Sequence, residues 1–378
     1  MLAPGEKFVT SKVSAQGVVK VRSGTDVLAV STLPTPAVSV RLKDAAAALG
    51  IKMGAAFDET VYAGNAPYAQ LLRDECDLWT PENSMKDART WTAPGTWDFS
   101  GADAFMAIAN AAGKPVRGHT LMYPDHPPSW QNTGNVTAAN WQALVDAHMA
   151  QCCPRYPTLV GLDVINELFL IGTSAPFANG YKDSVWMQAA QDGDTLMAHC
   201  FERARHYAPP GMPLFYCDNG TEQGNDSSRN AQKTNMVAAL TRLRATGVPI
   251  DGYSSQWHVV VDPTYQYRTD RAKHRDFLKS LVDLGLIINI TEIDVRMPAG
   301  GWSGSTQEFD RRAAELLAAT LETYFSIVPA AQRQHISFWN LGDTYNSWGV
   351  TERPCPFDTS LARKAMYAAA LNTFLGAI

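Results

Sequence analysis

The chain has 378 residues, 46% hydrophobic and 18% charged, against about 25% charged in an average soluble domain, which supplies a large core and excludes a disordered chain. The formal net charge of −5 disfavours nucleic acid or an anionic membrane as partner, since both reward clustered Lys and Arg. The longest apolar stretches, such as Ala365 to Leu371, are far too short to span a bilayer.

Residues 1–36 read as a polar, Ser/Thr/Val-rich N-terminal extension, either a flexible arm or a strand laid on the main body of the chain. The opening MLAPGEKFVTSK has no apolar h-region, so a secreted or periplasmic location, which we expect, would require a signal absent from this chain. From residue 37 to 378, short β-rich apolar runs alternate with longer segments of helical period. That rhythm is the mark of βα units around a parallel sheet. The helix predicted over 41–49, ended by Gly50, comes first. Eight strands are predicted: 52–57, 78–83, 115–120, 161–167, 213–218, 252–258, 286–294 and 335–343. Helices are predicted over 103–112, 141–152, 236–246 (closed by Gly247) and 311–325. The expected fold class is α/β, a single-domain (β/α)8 TIM barrel with a short N-terminal extension. The six cysteines show no CxxC or Cys/His metal spacing and are read as buried free thiols, with one or two disulfides as the rival.

Most of these strands start apolar and end polar. The ends carry Glu82 and Asn83, His119, Asn166 and Glu167, Asp218, Gln256 and His258, Glu292 and Asp294, and Asp343. In an eight-fold barrel these ends converge on one mouth, where catalysis is housed. Glu167 in DVINE and Glu292 in NITEID end otherwise apolar strands on opposite sides of that mouth. Cleavage of an acetal needs a proton donor for the leaving oxygen and a carboxylate for the oxocarbenium-like centre; buried carboxylates in salt bridges are the structural alternative. Residues i and i+2 of a strand share a face, so a His258–Asp294–Glu292 network is expected to keep Glu292 ionised. Asn166 points away from Glu167 on a straight strand and can join the chemistry only if the strand end is twisted or bulged. Trp339 and Trp348 offer aromatic faces for sugar rings, although most tryptophans are core.

The segments TPENSMK (80–86), WDFSGAD (97–103), GHTL (118–121), DVINE (163–167), QWH (256–258), ITEID (290–294) and FWNLGDTYNSW (338–348) resemble the glycoside hydrolase family 10 xylanases, in that family's order, over about residues 38–375. The resemblance implies a retaining mechanism with no metal or organic cofactor, with Glu167 as acid/base and Glu292 as nucleophile. It also implies that Asn166 and His119 contact the −1 sugar and that Gln256 and His258 surround the nucleophile, with Asp294 holding His258. Glu82, Asn83 and Lys86 would bind the −2 sugar. Trp339 and Trp348 would form walls around −1, and Asp343 would support their loop.

The departures are Tyr123-Pro124 and then His126 in place of a Trp-His pair and a Gln, Asp87 in place of a Trp, and Tyr216-Cys217-Asp218-Asn219 in place of a Tyr-Asn-Asp-Tyr-Asn segment. Tyr123 would be a smaller −1 wall with a hydroxyl able to hydrogen-bond. The expected substrate is therefore a β-linked carbohydrate, xylan first, with a decorated or different β-glycan, a short oligosaccharide or an aryl glycoside as alternatives. The aromatic loop after strand four (Phe169, Phe177, Tyr181, Trp186) either shapes the +1 side or folds over the barrel. Trp302, in the Gly-rich loop after strand seven, is a candidate sugar contact or lid. Rival functions are a glycan-binding protein without turnover and a metal-dependent barrel hydrolase; the first does not need both glutamates, and the second lacks HxH or HExxH spacing. A monomer is expected.

Overall fold

The computed structural model describes residues 9–10, 20–23, 26–30, 40–223, 226–261, 267–298 and 300–377, with backbone only over 9–30 and 267–270. Within the predicted extension, Val9–Thr10, Lys20–Ser23 and Asp26–Val30 form an antiparallel meander; the rest of residues 1–36 lies outside the described residues.

The barrel strands are β1 (Lys52–Phe57), β2 (Leu78–Pro81), β3 (within 115–122), β4 (Leu162–Asn166), β5 (Leu214–Asp218), β6 (Gly252–Ser255), β7 (Ile287–Arg296) and β8 (His335–Trp339). Seven of them form a continuous parallel sheet in the order β2-β1-β8-β7-β6-β5-β4. The eighth, β3, joins its neighbours through isolated bridges, Trp79 with Val116 on one side and Gly118 with Leu162 on the other. Arg117 N donates to Trp79 O at 3.0 Å, and Asp163 N donates to Gly118 O at 2.9 Å, so the ring closes there. The expected (β/α)8 barrel is the observed one. The β1–β8 seam is tight because Gly54 pairs with Ser337, and a Cβ at Gly54 would collide with that side chain.

Helices pack outside the sheet. Those at Ser100–Ala111, Trp141–Cys152, Ser227–Ala245 and Thr306–Ile327 contain or overlap the predicted ones. Ala66–Glu75, Gly193–Tyr207, Tyr267–Asp283 and Ala365–Gly376 add four more. Their starts follow local chemistry: the side chains of Asn65, Asp192, Asp226 and Ser305 each accept from a first-turn backbone N–H. One hydrophobic core runs from Leu42 to Phe374. All six cysteines are free thiols, and all but Cys152 are buried. Among the described residues no helix is long and apolar enough to cross a membrane.

Strand ends differ from the sequence reading where they matter for the site. The sixth strand, predicted over 252–258, is interrupted at Gln256–Trp257, with Trp257 at φ 68°, and resumes beside β7 at His258–Val260. Register shifts mark bulges in β4 between Asp163 and Ile165 and in β7 between Ile290 and Ile293. A bulge re-aims the side chains beyond it.

Candidate active site

The two bulges and one strained residue bring the polar strand ends together. Glu167 follows β4 at φ 56°, a left-handed conformation uncommon for a non-glycine residue. It is held there by its N–H, which donates to Cys217 O at 2.9 Å. The turn removes the strand alternation, so Asn166 and Glu167 reach one partner: Gln256 Nε2 donates to Asn166 Oδ1 at 3.0 Å and to Glu167 Oε1 at 2.9 Å. The tyrosine that follows β3, Tyr123, donates its hydroxyl to Glu167. Burial, reinforced by Glu167, pushes that phenol far above its ordinary range, so it remains an O–H donor.

Glu292 is recessed, its side chain 3% exposed against 12% for Glu167. Its Oε2 lies 3.3 Å from His258 Nε2, and His258 Nδ1 lies 2.6 Å from Asp294 Oδ2. The other oxygen, Oε1, takes Arg117 NH2 at 3.2 Å and Cys217 Sγ at 3.5 Å. Burial alone would raise the Glu292 pKa. His119, His258 and Arg117 outweigh it and hold the carboxyl well below the usual carboxylate range. His258 is the counterpart: burial opposes its charge, but Asp294 and Glu292 raise its pKa well above the ordinary value. Glu167 and Glu292 are linked through Gln256 and Cys217, whose Nε2 and Sγ are 3.8 Å apart.

Below the carboxylates lies a fully buried ion pair that the sequence reading missed. Arg117 donates through Nε to Asp163 Oδ2 at 2.9 Å, and NH2 contacts the same oxygen. Ser254 Oγ donates to Asp163 Oδ1 at 2.8 Å, and His119 Nδ1 is 2.8 Å from Asp163 Oδ2. A signal existed, since Arg117 lies two residues before His119 on the same strand face. His119, Asp163 and Cys217 lie close enough together to hold a metal ion. The Arg117 guanidinium, however, contacts all three, so a positive charge already fills that space.

The expected −2 residues lie together near Trp339. Lys86 Nζ donates to Asn83 Oδ1 at 3.1 Å and sits 5.3 Å from the centre of the Trp339 ring. Glu82 is buried and accepts from Asn340 at 3.3 Å and Ser347 at 2.6 Å. Trp339 also meets the rings of His119 and His258. Trp348 donates Nε1 to Asp294 Oδ2 at 2.6 Å, and the Arg296 guanidinium covers its ring at 3.7 Å; one aromatic face is therefore already taken. Asp343 accepts from Lys364 at 3.0 Å and from Cys355 N at 3.0 Å, which anchors the loop after β8.

The remaining aromatic candidates lie elsewhere. Trp302 packs against Phe309 and Arg312 of the helix Thr306–Ile327. Phe169, Tyr181 and Trp186 are fully buried, so the loop after β4 folds its rings into the core. Lys182, on that loop, is a further missed site residue: its Nζ lies 3.7 Å from Glu167 Oε2.

Residues 41–373 match the family model described as glycosyl hydrolase family 10. The chain belongs to that family. It is 28% identical over 313 residues to an endo-1,4-beta-xylanase of Agaricus bisporus, covering 80% of this chain and 85% of that protein. It is also 28% identical over 282 residues to endo-beta-1,4-xylanase Xyn10C of Cellvibrio japonicus, 71% of this chain but only 44% of that protein, so it spans less than half of that relative. In structure it is similar to the Penicillium canescens endo-1,4-beta-xylanase XylE, with a TM-score of 0.77 at 22% identity, covering 89% of this chain and 98% of that one.

Proposed function

We propose that this family 10 chain is a retaining endo-1,4-β-xylanase in which Glu292 is the nucleophile and Glu167 the acid/base. One observation carries the assignment of roles. Glu292 is recessed among Arg117, His119 and His258, which favour its anion, whereas Glu167 is the more open carboxyl and is surrounded by groups that orient it. An anion held in place suits attack on the anomeric carbon; an accessible, aimed carboxyl suits proton exchange with a leaving group and then with water. In the first step Glu292 bonds to the anomeric carbon while Glu167 protonates the departing glycosidic oxygen. In the second, Glu167 takes a proton from water as that water displaces Glu292, restoring both groups.

Asn166, Gln256, His119 and the Trp339 wall form the −1 surround, and Glu82, Asn83 and Lys86 the next subsite toward the non-reducing end. The xylan assignment draws on the xylanase relatives. A xylan with a substituted or different −1 sugar is favoured by Tyr123, a smaller wall than Trp. A polysaccharide substrate lies outside the cell, so the reading includes extracellular or periplasmic action, by a monomer.

Glu167→Ala tests the roles. Hydrolysis of xylo-oligosaccharides, whose leaving groups need the proton, should fall by about 10²-fold or more, while an aryl glycoside with a good leaving group should lose far less in its first step. Equal losses on both substrates would remove Glu167 from the acid role.

A further inference from the structure

The loop after β4 turns back on itself. Leu170 N donates to Gly180 O and Lys182 N to Leu168 O, both at 2.9 Å. Phe169 bridges Tyr181 in antiparallel fashion, and their rings stack at 4.6 Å. This short ladder delivers Lys182 back to the end of β4, where the strand stops. There Lys182 Nζ donates to Asp125 Oδ2 at 2.8 Å and lies 3.7 Å from Glu167 Oε2. Asp125 belongs to the loop after β3, beside Tyr123. One ammonium thus joins two active-site loops and stands against the oxygen of Glu167 that Gln256 does not hold.

We infer that Lys182, shared between Asp125 and Glu167, is a positioning residue that sets how readily Glu167 carries the proton it must give to the leaving group. This rests on the reading of Glu167 as acid/base.

The charges around Glu167 come from four elements. The loop after β3 contributes Tyr123 and Asp125, the loop after β4 contributes Lys182, β5 contributes Asp218, and β7 contributes Glu292 across the cleft. Tyr123 stays neutral. Asp218 is fully buried, accepts from Tyr216 and Asn219 N, and has its pKa pushed up to about 7 by burial. Glu292 is held as an anion. Lys182 is the sole cation among these groups. Its side chain is 16% exposed, so its field on Glu167 is screened less than that of a surface lysine. Burial works against the Lys182 charge, but Asp218, Glu167 and Asp125 together raise its pKa, and it remains an ammonium.

Asp125 moderates this cation. With Asp125 in place the ammonium is shared, 2.8 Å from Asp125 Oδ2 and 3.7 Å from Glu167 Oε2. Without it, the whole charge faces Glu167. The two members of the pair must therefore affect the acid with opposite sign. A salt bridge that only tied two loops together would affect it with the same sign, because either substitution would break the same tie.

The measurement is the alkaline limb of kcat/KM against pH on xylotetraose, where loss of the Glu167 proton ends activity. Lys182→Gln should move the limb up by about one pH unit and Asp125→Asn should move it down, the size expected for one charge within about 4–6 Å. Lys182→Arg should leave it near the wild-type position, and Asp125→Asn/Lys182→Gln should return it toward that position. Unmoved limbs, or shifts of the same sign in the two single variants, overturn the inference. Asp125→Asn tests the sign even if Lys182→Gln does not fold. Glu167→Ala on an activated aryl glycoside separates this result from the underlying reading: the limb should vanish. If it persists there, the acid assignment itself fails; if it vanishes there but stays fixed in both single variants, only the role of the ion pair fails.

Discussion

Replacing Asp87 by Asn should give a stability advantage over the wild type that grows as pH rises. Asp87 stands where the family resemblance leads one to expect Trp, and it is fully buried. Its Oδ1 accepts from Ala88 N at 3.0 Å, and the Tyr123 backbone and the Gln131 side chain lie beside it. Burial is the larger influence and pushes its pKa from 3.8 up to about 7. Below about pH 4, folded and unfolded chains both carry the proton, and Asp87 adds no pH dependence. Between about pH 4 and 7 the unfolded chain releases it and the folded chain keeps it. The folded state then binds more protons, so stability falls as pH rises. Above about pH 7 both forms are ionised and the loss is complete. About three pH units at about 1.4 kcal/mol each gives a loss of about 4 kcal/mol. Asn reproduces the neutral, hydrogen-bonding shape of the protonated acid and cannot ionise. Urea unfolding of wild type and Asp87→Asn, followed by tryptophan fluorescence from pH 4.5 to 8, should show a gap that is near zero at the acid end. That gap should widen toward neutrality. Parallel curves across the range would show that the folded Asp87 is already ionised at low pH and refute the reasoning.

Glu292→Ala should abolish turnover while calorimetry still detects xylo-oligosaccharide binding; full activity would disprove the nucleophile assignment. Arg117→Met should cost about 3–5 kcal/mol in chemical denaturation, because Asp163 is left charged and buried without its partner, and kcat should fall with it. A change under about 1 kcal/mol would mean that the ion pair is not needed to hold the barrel interior. Tyr123→Trp should shift preference among xylan, decorated xylan and aryl glycosides if that wall reads the −1 sugar, and an unchanged profile would remove it from the specificity argument.

The sequence made the barrel legible because short apolar strand runs, helical segments and helix ends are local signals, written within a few residues of where they act. It also placed polar groups at strand ends, and the glutamates proposed as catalytic could be chosen because DVINE and ITEID occur together. The third strand was legible as an apolar run, although in the structure it joins its neighbours by only a few bridges. The packing of Trp302 against a helix was not legible, because an aromatic residue in a glycine-rich loop looks the same whether it meets sugar or a helix.

What the chain by itself determined is the inventory: which acids, amides, rings and imidazoles stand at the mouth of which strand. Tertiary structure decided what those groups do to one another. The left-handed turn at Glu167 and the bulges in β4 and β7 put Asn166 beside Glu167 and aim Glu292 inward. No local pattern announces either, since alternation predicts the opposite for Asn166. The Arg117–Asp163 pair spans neighbouring strands 46 residues apart, and Lys182 reaches Glu167 only through a loop that doubles back. Charges act through space at a few ångströms, and only the folded chain fixes which of them share that distance.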